Sequence, residues 1–388
     1  MVKHIFTLIW NKKKSNFLLF LEILLSFLIL FAVFALVIDY LRVYQEPLGY
    51  NTENLWIAHL DFEGRTDTLA VEQTKANLYR ELLNNPDIES ISFGDRKSLL
   101  SGSSNSWGSD ENGFFLQTLL YSSDIGFKKT AELNLIAGRW FNESDKTAKY
   151  TPIIINRKLA EGAFKGRKII DSIFTIRKEV KIVGIIDHFN AFGEFEEEDS
   201  AALFYEPKES ISTPSLYIRT KANANSSWEE KANQTIAQIT KDKGFVINNL
   251  DRQRKEDNKV VWIPMVAMLS ICTFLVINVA LGLFGILWYN INQRKAEIGL
   301  RRTLGASRTD ISAQFIGEVL MVVGFAILVG IGFAIQFPIM KIFDFENINY
   351  YYAILGAALV ILIVVLICAY YPSRQAALIR PALALHED

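Results

Sequence analysis

The chain has 388 residues, with 41 basic against 42 acidic side chains and a formal net charge of -1. That balance excludes a sequence-wide basic surface for nucleic acid and an acidic tail, and two Cys and four His exclude a disulfide framework and a Cys-rich zinc module. Bulk composition would pass for a soluble enzyme, at 50% hydrophobic and 21% charged residues, yet the apolar residues gather into four long runs with most of the charge between them.

In chain order, segment 1–16 is a Lys-rich start carrying Lys3, Lys12, Lys13 and Lys14. Residues 17–38, FLLFLEILLSFLILFAVFALVI, contain a single ionisable group, Glu22. At 1.5 Å rise per residue the run is about 33 Å long, enough to cross a ~30 Å hydrocarbon core. A secretory signal also begins with Lys before an apolar stretch. This stretch exceeds the usual ~7–15 residues and lacks an A-x-A site before Asp39, so a retained anchor is expected.

Residues 39–259 are expected to form a two-lobed external α+β domain. LWIAHL at 55–60 is strand-like, 69–83 is helical and ends at Asn84, Asn85 and Pro86, and IESISF at 88–93 is strand-like again. The order recurs in SLYIRT at 215–220, a helix over 227–241 with Gly244 as its stop, and FVINNL at 245–250. These outer β-α-β units are predicted to pair into one sheet near the membrane, with the middle inserted between them. The middle holds a Gly/Ser-rich stretch at 98–113, which reads as a flexible surface loop. It also holds a strand then a helix at 151–164, and a strand pair over 172–186.

The second span is residues 260–291, with Trp262 at one end and Trp288 and Tyr289 at the other. These aromatic belts lie about 39 Å apart along a helix, so the helix tilts or continues outward as a stalk. A loop at 292–314, a third span at 315–339, a short external loop at 340–350, a fourth span at 351–371 and a tail at 372–388 complete the chain. Orientation follows from the flanking cations. The 292–314 loop carries Arg294, Lys295, Arg301, Arg302 and Arg308 against Glu297 and Asp310, whereas Lys341 is balanced by Asp344 and Glu346. With Arg374 and Arg380 after the last span, both termini are expected on the cytoplasmic side.

No G-x-x-x-x-G-K-[ST] phosphate loop occurs, and Gly162 to Lys168 has the wrong spacing. Neither H-E-x-x-H nor G-x-S-x-G is present. His4, His59, His188 and His386 are too dispersed for a metal cage, and Cys272 and Cys368 fall inside spans, where they read as packing residues. No catalytic, cofactor-binding or metal-binding residue is assigned, and the chain is not expected to be an enzyme. The acidic run Glu194, Glu196, Glu197, Glu198 and Asp199 lacks the alternation and central Gly of a calcium loop and reads as a solvated face. Asp187 and His188 lie at a strand end; neighbours on a strand face opposite ways, so no acid–base pair is expected.

Glu22 and Asn278 are polar residues inside the spans. A carboxyl group in hydrocarbon costs about 2.5–3.5 kcal/mol, so Glu22 is expected to face protein or the nearby interface. Ala326, Gly330 and Ala334, each four apart, lay a strip of small residues along one face of span three. The strip suits close helix packing, within the chain or across a dimer.

The loop segment RKAEIGLRRTLGAS, 294–307, extends span two and is punctuated by Gly299 and Gly305. Ile298, Leu300 and Leu304 offer apolar contacts, and Arg301 and Arg302 offer donors to an acidic or carbonyl-lined partner. It reads either as an element that transmits motion from a cytoplasmic partner or as a positive-inside loop with turn glycines. On the residues alone the second reading is the simpler.

The same segment resembles the signature of the FtsX-like permease family, which contains the MacB-type and lipoprotein-releasing ABC transporter permeases. Its pattern is approximately R-x-x-E-I-G-[IL]-x-[RK]-[AT]-[LI]-G-A-[ST]. Arg294, Glu297, Ile298, Gly299, Leu300, Arg302, Leu304, Gly305, Ala306 and Ser307 match it, with Thr303 where Ala is commonest. Glu318 matches a recurrent Glu of the third span. YPSRQAALIRPALAL at 371–385 is similar to the family's tail through Pro372, Ala376, Pro381, Ala384 and Leu385, but ends in His386, Glu387 and Asp388 instead of the common Arg. LGYNTENLW at 48–56, AGRWF at 137–141 and KIVGIIDHF at 181–189 look like pieces of the family's MacB-like periplasmic core domain.

The resemblance implies a multi-pass α-helical protein of the bacterial inner membrane, with four transmembrane helices in a 1+3 arrangement around the extracytoplasmic α+β domain. It implies the permease half of an ABC system, paired with a second permease subunit (homo- or heterodimer) and with separate ATPase subunits that carry ATP and Mg. Membrane lipids surround it, a periplasmic adaptor is an optional partner, and nucleic acid is none. Arg294, Glu297, Arg301 and Arg302 would dock the ATPase, whose closure would move the external domains against an antibiotic, peptide or lipoprotein substrate. The alternative is a signalling complex that regulates a cell-wall hydrolase or senses antimicrobial compounds without exporting cargo.

Overall fold

The structure is a computed structural model that describes residues 13–60, 62, 68–95, 99–100, 105–109, 116–163, 169–176, 178–205, 214–225, 227–241, 245–343 and 345–377. The chain opens with α1 (Lys13–Tyr44), β1 (Leu55–His59), α2 (Thr68–Leu83), β2 (Ile88–Asp95), β3 (Asn105–Ser109) and β4 (Leu116–Ser123). It continues through α3 (Phe127–Ala131), β5 (Leu135–Gly138), β6 (Thr151–Asn156), α4 (Arg157–Ala163), β7 (Ile173–Ile176), β8 (Lys178–Ile186) and β9 (Ala201–Tyr205). It closes with β10 (Pro214–Thr220), α5 (Ser227–Thr240), β11 (Ile247–Asn249), α6 (Leu250–Gln293), α7 (Lys295–Thr303), α8 (Arg308–Ala334), α9 (Gln336–Met340) and α10 (Asn347–Ala377). Two compact units result: Met1–Arg42 with Trp262–Asp388, and Val43–Val261.

The first unit is helical. Phe17–Tyr44, Leu250–Gln293, Arg308–Met340 and Asn347–Gln375 are each long and apolar enough to cross a membrane, so the protein is a multi-pass membrane protein with one span before the α+β domain and three after it. Its core is built from stripes four residues apart, which stay on one face of a helix. Leu19, Ile23, Phe27 and Phe31 of α1 meet Val279, Leu283 and Leu287 of α6, Val319 and Val323 of α8, and Ala353, Ala357 and Ile361 of α10. Coverage is uneven: 39% of the most apolar window of the third span is buried, but only 11% of that of the second. The helix containing span two starts at Leu250, because DRQRKEDNK before the apolar run contains no Gly or Pro to stop it.

Gly330 explains the strip of small residues on α8. A Cβ there would lie 2.4 Å from the Phe27 ring, so the strip receives an α1 aromatic within the chain, and Ala326 and Ala334 are fully buried in the same core. Glu22 faces protein: its carboxylate lies against Gly282 of α6, 2.7 Å from where a side chain there would begin.

The second unit contains one mixed sheet in the order β11-β1-β10-β2-β4-β9-β6-β8-β5, with β3 on β4 and β7 on β8. The outer β-α-β units do share a sheet, and they interleave: β10 lies between β1 and β2 and is antiparallel to both. α2 and α5 cover these strands, with Val71, Leu78, Trp228 and Ile236 packed on Phe93, Leu216 and Ile218. Among the described residues the middle section pairs with the outer strands of the sheet at Gly94 with Ser123, between β2 and β4, and the two parts share a buried core. Beyond it β6 runs parallel to β8, and Ile153, Ile154 and Ile155 are all fully buried, the continuous apolar pattern of a strand covered on both faces.

Two expectations need correction here. Within the stretch read as a loop at 98–113, residues 105–109 form β3, antiparallel to β4 with Trp107 opposite Thr118; cross-strand pairing outweighs the Gly/Ser composition. In the last outer unit the strand is Ile247–Asn249, and Leu250 already begins α6. α5 ends at Thr240, and Lys241 takes the left-handed conformation at φ 56. Gly244 lies outside the described residues, as do Pro381, Ala384 and Leu385 of the tail.

Candidate coupling site

The α6–α7–α8 corner is built by two local signals. Gly305, at φ 98, lets the chain reverse after α7: Leu304 N–H makes a last helical bond to Leu300 O at 3.1 Å, and Ala306 N–H reaches back to Arg301 O at 3.0 Å, the six-to-one bond of a glycine-terminated helix. Ser307 then caps α8 through a reciprocal capping box with Asp310. Between these signals α7 is amphipathic. Its Ile298 is 3% exposed and packs with Ile291, Ile311, Phe315 and Ala306, while Leu300 and Leu304 are 53% and 80% exposed.

A polar chain ties this corner together. Arg294 Nη1 donates to both carboxylate oxygens of Glu318, at 3.1 and 2.9 Å, with its guanidinium 5.8 Å over the Phe315 ring. Gln314 Nε2 donates to Glu318 Oε1 at 3.0 Å, and Gln314 Oε1 accepts from Arg301. Arg301 reaches Glu297 Oε1 at 2.6 Å. Arg294 and Glu318, singled out separately in the sequence, are therefore partners, and Arg294 is turned inward with 12% of its side chain exposed. Of the expected docking residues, Glu297 remains outward and Arg301 half-exposed; the side chain of Arg302 lies outside the described residues. Gly299 is buried and Thr303 exposed.

Asn278 is exposed on α6 and donates to Phe274 O of its own helix at 2.8 Å, which satisfies it without a neighbour. Near the end of α10, Pro372 is buried and Ser312 of α8 donates to Ser373 O at 3.1 Å. The side chain of Ala376 lies outside the described residues. At the other end of the helices, Asn349 of α10 donates to the buried Asp39 of α1 at 2.9 Å, and Arg42 donates to Glu346 at 3.0 Å. Sequence reasoning passed over this clasp; its only signal is that Asp39 and Asn349 each border an apolar run.

In the α+β unit the acidic run is solvated only in part: Glu196, Glu197 and Asp199 are exposed, whereas Glu194 and Glu198 are turned inward. Glu198 is buried and its carboxylate accepts from Asn156 Nδ2 and Phe189 N–H, both at 2.8 Å. Its other oxygen meets His188 Nδ1 at 2.7 Å. Asp187 and His188 also approach each other, with His188 Nε2 3.5 Å from Asp187 Oδ1; β8 ends at Ile186, so strand alternation no longer separates them. Arg157 pairs with Asp187 at 2.6 Å. Among the described residues no group of three or more His, Cys, Asp or Glu could hold a metal ion.

Arg219 is hidden in the apolar strand β10 and only 3% exposed. It donates to Thr130 O at 2.6 Å, Glu53 O at 2.8 Å and Asn51 O at 2.7 Å, and burial pulls its pKa below the ordinary guanidinium value against the pull of Glu132. A groove of about 470 Å³ opens beside β5, lined by Gly138, Arg139, Asp145, Lys149, Asp171 and Lys181 among others. Its charges largely cancel in pairs, Arg139 with Asp145 at 2.7 Å and Lys181 with Asp171 at 2.8 Å.

A four-span membrane protein with a mixed α+β domain after its first span, and a tethered amphipathic helix between its second and third, has the layout of a permease. The MacB-like periplasmic core domain family matches residues 17–239 and the FtsX-like permease C-terminal family matches residues 269–381. The chain belongs to this family of FtsX-like permeases with a MacB-like core domain. It is 24% identical over 271 residues to the uncharacterized ABC transporter permease YknZ of Bacillus subtilis, covering 68% of each chain. It is 23% identical over 290 residues to the macrolide export ATP-binding/permease protein MacB of Neisseria gonorrhoeae, covering 70% of this chain. The match spans 44% of that MacB protein. Among solved structures, the periplasmic region of MacB from Actinobacillus actinomycetemcomitans matches 56% of this chain and 98% of that one, at 14% identity and a TM-score of 0.37. The extracellular domain of YknZ matches 50% of this chain and 100% of that one, at 14% identity and a TM-score of 0.36.

Proposed function

We propose that this chain is the permease subunit of an ABC-type export complex that works by mechanotransmission. ATP and Mg are bound on a separate ATPase subunit, a second permease subunit completes the complex, and both termini face the cytoplasm of the bacterial inner membrane. One observation carries the reading: α7 is tied to α8 through Arg301 and Gln314, beside the Arg294–Glu318 pair at its start, while Leu300 and the following Leu304 face outward. An apolar pair on a braced helix suits insertion into a partner's groove. ATPase closure would displace α7, and the ion pair would pass that displacement to α8. The lack of a phosphate loop in this sequence agrees with a nucleotide site on another subunit. The export function in MacB's printed name supports export of an antibiotic, peptide or lipoprotein over a purely signalling role.

The test reconstitutes the full chain with its ATPase in nanodiscs and in vesicles. Stimulation of ATP hydrolysis by the permease, with ATP-dependent movement of a labelled macrolide, peptide or lipoprotein, is the expected result. Stimulated hydrolysis with no transported compound, alongside altered cell-wall hydrolase activity, would replace export with signalling. No stimulation would overturn the reading.

A further inference from the structure

Residues 188–199 have no regular secondary structure, yet they are held at both ends. At one end, the Glu194 carboxylate accepts from Asn258 Nδ2 and lies 3.6 Å from the Arg254 guanidinium, both on α6. Phe195, nearly buried, stacks on Tyr44 at the end of α1 with ring centroids 5.1 Å apart. At the other end, the Glu198 carboxylate accepts from Asn156 of the inserted lobe and also meets His188 and Phe189 of the segment itself, and its backbone carbonyl accepts from Lys158 of α4. Between these ends Asn190 folds the segment on itself: its Nδ2 donates to Glu196 O at 2.6 Å and its Oδ1 accepts from Phe192 N–H at 3.1 Å.

The placement matters more than the bonds. Tyr44 is the last residue of α1, and Arg254 and Asn258 lie in the opening turns of α6. These are the points where the two membrane helices enter the α+β unit. In the sheet, among the described residues, the lobe pairs with the outer strands at one register position, between β2 and β4; elsewhere the two share a core that includes Leu55, Tyr217 and Leu119, and Arg219 of β10 donates to Thr130 O. A carboxylate held by one donor and one counter-charge on one helix, with an aromatic stack on the other, resists shear from either side.

We infer that residues 188–199 act as a positioning strap, which makes the first turns of α6, the end of α1 and the inserted lobe move as one body. The inference rests on the mechanotransmission reading and extends it by naming where displacement of the helices enters the lobe. Without the strap, the short β2–β4 seam would take up part of the motion of α6 and the lobe would lag.

The test uses the full chain with its ATPase in nanodiscs, with Cys272 and Cys368 replaced by Ala. Spin labels are placed at Glu161→Cys on α4 and Arg252→Cys on α6, both exposed positions. With the strap intact, the distance distribution is expected to be narrow and the same in nucleotide-free and vanadate-trapped states. In Glu194→Ala/Phe195→Ala it is expected to broaden at least about twofold and to shift on trapping, while ATP hydrolysis continues. Glu194→Gln and Phe195→Leu, each leaving half of the grip, are expected to fall between, so the outcome is readable even if the double variant folds poorly. A double variant as narrow and unshifted as the parent would overturn the strap, as would a parent distance that shifts on trapping. If no ATPase complex forms, the functional reading fails by itself, and the nucleotide-free comparison still decides the strap.

Discussion

Arg294 and Glu318, 24 residues apart in the chain, meet in a two-oxygen ion pair with 12% and 16% of their side chains exposed. The pair closes the corner between α6 and α8 around α7. Removing one member leaves the other half-buried without its counter-charge, which costs about 1–3 kcal/mol. Arg294→Ala and Glu318→Gln are therefore expected to lower the thermal midpoint of the detergent-solubilised protein and to uncouple ATPase stimulation. The swap Arg294→Glu/Glu318→Arg should recover most of both. Singles without effect on either readout would show that the pair is incidental.

Arg219 holds three backbone carbonyls from two segments around β10. Arg219→Ala strands all three, and Arg219→Lys, with a compact ammonium in place of the planar fork, cannot reach them together. The expected loss for Ala is on the order of 3–5 kcal/mol, with Lys recovering only part of it. Urea unfolding of the full chain, followed by tryptophan fluorescence, measures this. A loss below about 1 kcal/mol for Ala, the scale of one ordinary hydrogen bond, would contradict it.

Asp145 supplies a pH dependence with a definite sign. Burial pushes its carboxyl up, but the Arg139 guanidinium and the Asn142 N–H pull harder, and the net result lies below the ordinary carboxylate value. The folded state then binds its proton more weakly than the unfolded state. The contribution to stability is complete above the unfolded pKa and is lost as pH falls through the lowered folded one. Acid unfolding should steepen as pH drops below about 4, the range of an unperturbed aspartate. Asp145→Asn should flatten that limb while leaving the neutral-pH dependence unchanged; an unaltered acid limb would remove Asp145 as its source.

Gly330 accepts the Phe27 ring at a distance no Cβ can share. Gly330→Val should destabilise the helical unit by about 1–3 kcal/mol through overpacking. Phe27→Ala in the same chain should relieve part of that loss, so the double variant should be more stable than the sum of the singles. Strict additivity of the two thermal shifts would contradict the contact.

The spans were legible because twenty or so apolar residues admit little else, and the outer β-α-β units because strand alternation and helix stops lay side by side. The interleaving of β10 between β1 and β2 was not legible, since strand order is set by tertiary pairing that no local pattern encodes. The acidic run shows the same limit. Five acidic residues in six positions looked solvated, yet Glu194 and Glu198 find donors supplied by Asn258 and Asn156, both distant in sequence. In the coupling site the residue types were visible but not their pairing. Arg294 looked like a docking cation because its partner Glu318 stands about three turns along another helix. Leu300 and Leu304 looked like ordinary apolar contacts until Ile298 was seen to take the inward place.

The most direct measurement is capture of the ATPase subunit by the tagged full chain carrying Leu300→Asp/Leu304→Asp. Both side chains are exposed, so membrane insertion and the fold of the α+β unit should be unchanged. The expected result is loss of the ATPase from the purified complex, at least about tenfold, with Leu300→Met/Leu304→Met retaining it. Undiminished capture by the Asp variant would contradict a docking role for α7.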